Sequence, residues 1–95
     1  MRYKIEVKRK DINLGKCNDP RLCAVALAMN RRFGKRKGYE GAEVTEHSAE
    51  IRFSDSIEYV DFPKKVTDFI YRFDDKGNWV GERDKMKPFS FVVNV

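Results

Sequence analysis

Along the first residues of the chain, apolar Tyr3, Ile5 and Val7 alternate with Arg2, Lys4, Glu6 and Lys8. A period of two is the mark of a strand with one buried face. From Asp11 to Cys17 the alternation breaks at Asn13 and Gly15, which predicts a loop whose Ile12 and Leu14 tuck toward the core. Asp19 then offers an N-cap oxygen and Pro20 a preset φ, so a helix is expected to begin there. Leu22, Val25, Ala26, Met29 and Phe33 recur at three- and four-residue spacing in that helix, with Ala24, Ala26 and Ala28 permitting close packing. Gly34 is placed to close it as a left-handed cap.

Residues 35–41 form a Gly-punctuated basic loop, and Ala42 to Phe53 is strand-like again. Val44 and Ile51 have opposite parity, which one straight strand cannot bury, so the segment is expected to divide near Glu46-His47-Ser48. Ser54-Asp55-Ser56 is turn chemistry, making residues 49–62 a hairpin whose Ile57 and Tyr59 face one way and Val60 and Phe62 the other. That pattern predicts apolar contact on both faces of its second strand. A second helix starts at Asp61 and Pro63, carries Val66, Phe69, Ile70 and Phe73 at i, i+3, i+4 and i+7, and stops at Gly77. After a polar stretch containing Trp79, residues 89–95 alternate Phe89, Phe91, Val93 and Val95 as a last strand.

The predicted order is β-α-β-β-β-α-β over one domain, residues 1–95. It describes an α+β fold, a mostly antiparallel sheet of four to five strands with two helices on one face and the other face open. First and last strands are natural neighbours near the centre of such a sheet. At 41% apolar and 13% aromatic residues, the chain has enough to fill a small core and too much for a disordered tail. No apolar run approaches the ~20 residues of a membrane span, and no apolar signal region follows Met1-Arg2-Tyr3-Lys4. A cytoplasmic protein without membrane contact is therefore expected. Cys17 and Cys23 are two few-partnered thiols in a reducing setting, expected to be free and to do no chemistry.

Net charge is +5, and its distribution is more informative than its sum. Residues 1–38 hold twelve Lys/Arg against three Asp/Glu, residues 39–62 one against seven, and residues 63–95 seven against five. Such blocks produce a directional field that steers an oppositely charged partner. Arg31, Arg32, Lys35, Arg36 and Lys37 place five cations at the end of the first helix, more than a helix C-terminus needs. Lys64 and Lys65 oppose the dipole at the start of the second helix, which an anion there would reverse. These seven residues are the candidate anion-binding set. Glu43, Glu46, Glu50, Glu58 and Asp61 make an acidic hairpin, either a solvated face that discourages edge pairing or a mimic of a phosphate backbone.

No motif specifies a cofactor. Cys17, Cys23 and His47 lack the paired short spacings of a zinc site. His47 is the only histidine; it is either a turn residue or the acid or base of a small hydrolase. Tyr39, Tyr59, Tyr71 and Trp79 are candidates for stacking on bases if exposed, and otherwise packing residues.

The runs Asp11-Ile12-Asn13-Leu14-Gly15, Cys23-Ala24-Val25-Ala26-Leu27-Ala28 and Pro88-Phe89-Ser90-Phe91 together resemble a group of small phage and bacterial proteins without assigned activity. The resemblance implies a phage or mobile-element origin. The interior α-β-β-β-α order is also similar to that of double-stranded-RNA-binding domains, with Lys64-Lys65 at the second helix, but the flanking strands and the missing Gly-Pro loop set this chain apart. The sequence thus predicts a non-enzymatic protein that recognises an anionic ligand, a nucleotide or a nucleic acid. The alternatives are an inhibitor that grips a host protein by the acidic hairpin or open sheet face, and a hydrolase centred on His47.

Overall fold

A computed structural model describes all residues, Met1–Val95. The chain runs β1 (Arg2–Val7), α1 (Arg9–Leu14), α2 (Ala24–Phe33), β2 (Tyr39–Val44), β3 (Ser48–Phe53), β4 (Ser56–Asp61), α3 (Lys64–Lys76), α4 (Glu82–Lys85) and β5 (Phe89–Asn94). The class is α+β as expected. The single sheet with two helices is replaced by two antiparallel sheets, β1-β5 and β2-β3-β4, and four helices.

First and last strands do pair, with Tyr3 opposite Val93, Ile5 opposite Phe91 and Val7 opposite Phe89. The ladder extends to the chain ends, where Met1 and Val95 exchange backbone bonds of 2.7 and 3.0 Å. The strands form their own sheet rather than the centre of a larger one. The two sheets meet through side chains, Phe62 just past β4 packing edge-on against Phe91 of β5 at 5.6 Å.

In the larger sheet the parity conflict between Val44 and Ile51 is resolved by a turn at Thr45–His47, after which β3 pairs back onto β2 and β4 onto β3. The register slips between Tyr39 and Gly41. Gly41 carries the slip at φ 127°, a conformation side chains rarely adopt. Ala42, Val44, Ala49, Ile51, Phe53 and Val60 face inward and are buried. Ile57 and Tyr59 are 44% and 70% exposed, so β4 makes apolar contact on one face and not on both.

Two segments depart from expectation because side chains reorganise them. The predicted loop at 11–17 begins as helix α1, since Asp11 accepts the Lys8 backbone N–H at 2.8 Å and the Arg83 guanidinium satisfies its terminal carbonyls. That guanidinium donates to the backbone oxygens of Ile12, Asn13 and Gly15 at 2.8, 3.0 and 2.7 Å. Ile12 is buried, but Leu14 is 73% exposed. In the second segment, the Asp19 carboxylate accepts the N–H groups of Arg21 and Leu22. It thus caps a separate turn, and α2 starts only at Ala24 with Leu22 left on the surface.

Helix α2 packs on β1, β2 and α1. Ala24, Ala26 and Ala28 are buried as expected, and Gly15 lies so near α2 that a Cβ there would stand 2.6 Å from the Ala24 nitrogen. Gly34 closes the helix in right-handed geometry, φ −60°, and not as a left-handed cap. Helix α3 follows Pro63 and buries Val66, Ile70 and Phe73. Phe69 is half-buried between Phe73 and Phe89, with ring centroids at 5.7 and 4.9 Å. Buried side chains from both sheets and three helices form one cluster of 23 residues. No helix is long and apolar enough to cross a membrane.

Candidate anion-binding groove

The seven predicted anion-binding residues fall into two groups that the fold holds apart. Arg31–Lys37 precede β2, whose first residue Tyr39 lies opposite Phe53 at one end of the larger sheet. Lys64 and Lys65 follow β4, whose last residue Asp61 lies opposite Ser48 at the other end. One strand length, ~17–20 Å, separates those ends. Lys64 is also engaged, its ammonium 2.6 Å from Asp68 one helical turn on, which reduces the cost of placing a cation in the first turn. Lys65 is exposed.

The members of the first group have different tasks. Arg31 donates from both terminal nitrogens to Asp11 at 2.7 Å, and one of these also donates to the Glu6 carbonyl at 2.7 Å. Asp11 is 3% exposed and is the only buried charged or polar residue in the chain. Its hydrogen bonds raise the pKa of Arg31 above the usual arginine value. Arg31 is thus committed to neutralising a buried carboxylate and to tying α2, α1 and β1 together. Arg36 lies over the rings of Tyr3 and Phe53, 5.4 and 4.7 Å from their centroids, joining the two sheets by cation–π contact. Arg32 lies 4.8 Å above Tyr3. Lys35 and Lys37 are exposed and make no ion pair.

Between α2 and β1 runs a groove of about 480 Å³, lined by Arg31, Arg32, Lys35 and Ala28 from the helix side and by Lys4 and Glu6 of the strand and Lys8 just past it. Lys4 and Lys8 were outside the predicted set. Their signal was the outward half of the first strand's alternation; what the sequence did not show is that this half faces the end of the first helix. Setting aside Arg31, which Asp11 holds, the groove presents four cations against the single carboxylate of Glu6, itself 4.0 Å from Lys4.

Other candidates have local partners. Glu43 is held below the usual carboxylate range, first by its hydrogen bond from Arg21 and then by Arg52. Glu50 pairs with Arg52 at 2.8 Å. The acidic hairpin is therefore partly neutralised on its outer face. His47 is exposed and touches Tyr71, Nε2 to hydroxyl 3.3 Å. Cys17 donates to the Phe73 carbonyl at 3.0 Å; Cys23 is buried, and burial pushes its thiol up to about 11. Both thiols are free, and no three His, Cys, Asp or Glu side chains are grouped to hold a metal ion. Trp79 and Tyr59 are exposed, whereas Tyr39 is half-buried and donates to the Asn30 side-chain oxygen.

Two arginines that carry much of the architecture gave no sequence signal. Besides its three α1 carbonyls, Arg83 donates to the Gly77 carbonyl at 2.6 Å and lies 4.9 Å above the Phe73 ring. Arg9 donates to the backbone oxygens of Arg83 and Met86 at 2.9 and 2.7 Å. The chain matches no family model, and neither a curated protein nor a solved structure is significantly similar to it.

Proposed function

We propose that the protein is a small non-enzymatic binding module that holds a phosphate-bearing ligand in the groove between α2 and β1. The observation that carries this reading is the convergence of Lys4, Lys8, Arg32 and Lys35 on one concavity with only Glu6 opposed. Packing like charges together raises self-repulsion, which an anionic ligand would relieve. Of the seven residues singled out from sequence, Arg32 and Lys35 belong to this contact surface. Arg31 lines the groove but is held by Asp11, Arg36 lies over the Tyr3 and Phe53 rings, and Lys37, Lys64 and Lys65 do not line it. A phage or mobile-element origin, and action inside a producing or host cell, rest on the resemblance of three short runs.

Heparin chromatography at low salt tests the reading. Wild-type protein is expected to be retained, and a K4Q/K8Q/R32Q/K35Q variant of unchanged circular dichroism is expected to flow through. Equal retention of the two would overturn it.

A second reading is a host-protein inhibitor that docks on the outer face of the larger sheet. Ile57 and Tyr59 favour it, being exposed apolar side chains beside the Glu50–Arg52 pair. The hydrolase reading draws no support, since the hydrogen-bond partner of His47's ring is the Tyr71 hydroxyl rather than a carboxylate.

A further inference from the structure

The lining of the groove narrows the ligand's class. Its one apolar residue is Ala28. Of the aromatic side chains near it, Tyr3 is 7% exposed and is roofed by the guanidinium groups of Arg32 and Arg36, and the half-buried Phe89 lines an adjoining depression that shares Lys4, Glu6 and Lys8 but not the groove itself. Exposed Tyr59, Tyr71 and Trp79 do not line it. A nucleoside pocket needs apolar or aromatic walls for the base, and proteins that track single strands stack successive bases on aromatic rings. The groove has neither surface.

What it has is charge spread over a distance. Lys4 on β1 and Lys8, in extended conformation one residue past its end, lie on the same side of the chain, and at ~3.3 Å per residue they stand ~13 Å apart. Arg32 and Lys35 form the opposite wall. A duplex carries one charge per ~1.7 Å of axis, directed outward, with its bases turned inward. Its backbone therefore offers several phosphates across that span and asks for no stacking surface. Building on the anion-binding reading above, we infer that the ligand is the phosphodiester backbone of a nucleic acid duplex, contacted without reading the bases. Lys4, Lys8, Arg32 and Lys35 contact phosphate, and Glu6 weakens the grip from between the two lysines.

Fluorescence anisotropy with labelled 20-bp DNA duplexes of two unrelated sequences, one of their single strands, a 20-bp RNA duplex and ATP tests the assignment. Four phosphate contacts give a log–log salt slope of about −3.6 on B-DNA, a loss of about 150-fold between 50 and 200 mM salt. The two DNA duplexes are expected to bind equally, the single strand more weakly and ATP at least 100-fold more weakly. K4Q/K8Q should halve the slope, and E6Q should tighten binding several-fold at low salt. The RNA duplex, which carries the same outward phosphodiester charge, is expected to bind more tightly than the single strand and ATP as well. ATP or the single strand binding as tightly as the duplexes, or a tenfold difference between the two sequences, would overturn the assignment. If heparin retention depends on the groove while no duplex binds, the duplex assignment alone falls; loss of both removes the anion-binding reading as well.

Discussion

Arg31 and Arg32 are neighbours in sequence, equal in charge, and assigned opposite roles, so replacing each by glutamine separates architecture from function. In Arg31→Gln the Asp11 carboxylate, 4% exposed at its side chain, loses both guanidinium bonds and keeps only the Lys8 N–H. Breaking a buried pair costs ~3–5 kcal/mol. The guanidinium side is 31% exposed, so water compensates in part, and about 2–4 kcal/mol is expected. A chain of this size has a total stability of roughly 5–14 kcal/mol, and each kcal/mol moves the melting temperature by ~4–8 °C. The variant should therefore melt at least ~8 °C below wild type. Arg32→Gln gives up only an exposed cation–π contact, worth ~0.5–1 kcal/mol. Urea titration followed by circular dichroism measures both on one scale, and Asp11→Asn, alone and combined with Arg31→Gln, closes the cycle that gives the coupling energy, about 0.5–3 kcal/mol. The reasoning is refuted if Arg31→Gln stays within ~0.5 kcal/mol of wild type, or if Arg32→Gln proves the more damaging of the two.

Arg83→Met should cost ~2–4 kcal/mol, because it strips charge-assisted donors from four carbonyls at the ends of α1 and α3; a chemical-denaturation midpoint equal to wild type would contradict this. Phe73→Ala, at a fully buried ring, should cost ~3–5 kcal/mol, and Phe69→Ala roughly half as much because that ring is half-buried; thermal melts that reverse this order would mean the helix is rotated. Burial raises Cys23 to about 11 and Tyr39 to about 12. Both are protonated more firmly folded than unfolded, so their contribution is complete below pH ~9 and is lost as pH rises through 11 to 12. Denaturation midpoints measured from pH 7 to 12 should therefore fall at the alkaline end, and a flat profile would refute the assignment.

Much of what rests on periodicity was legible in the sequence, though the expected second apolar face of β4 and the first turn of the stripe through Leu22 are exposed. Alternation in β1 and β5 and the i, i+3, i+4 stripe of α3 became strands and helix at nearly the expected residues, because one-sided burial imposes those periods directly. The division between β2 and β3 followed from parity alone. What escaped depends on distant side chains: α1 is completed by Arg83 from the far end of the chain, and the late start of α2 follows from Asp19 spending its carboxylate on a preceding turn. The same holds for the groove. Half of its free cations lay within the predicted basic cluster and half on β1 and the residue that follows it, and only the packing of α2 on β1 brings them together. Charge counts along the chain could not distinguish Arg31, which serves Asp11, from Arg32, which faces outward.

The most direct test of the central claim is an amide-resolved NMR titration of the intact chain with a 20-bp DNA duplex at low salt. The structure predicts shift changes concentrated at Lys4, Glu6, Lys8, Arg32 and Lys35, reversed by adding salt, with Lys64, Lys65, Ile57 and Tyr59 unmoved. Changes centred instead on the start of α3 or the outer face of the larger sheet, or none at all, would contradict it.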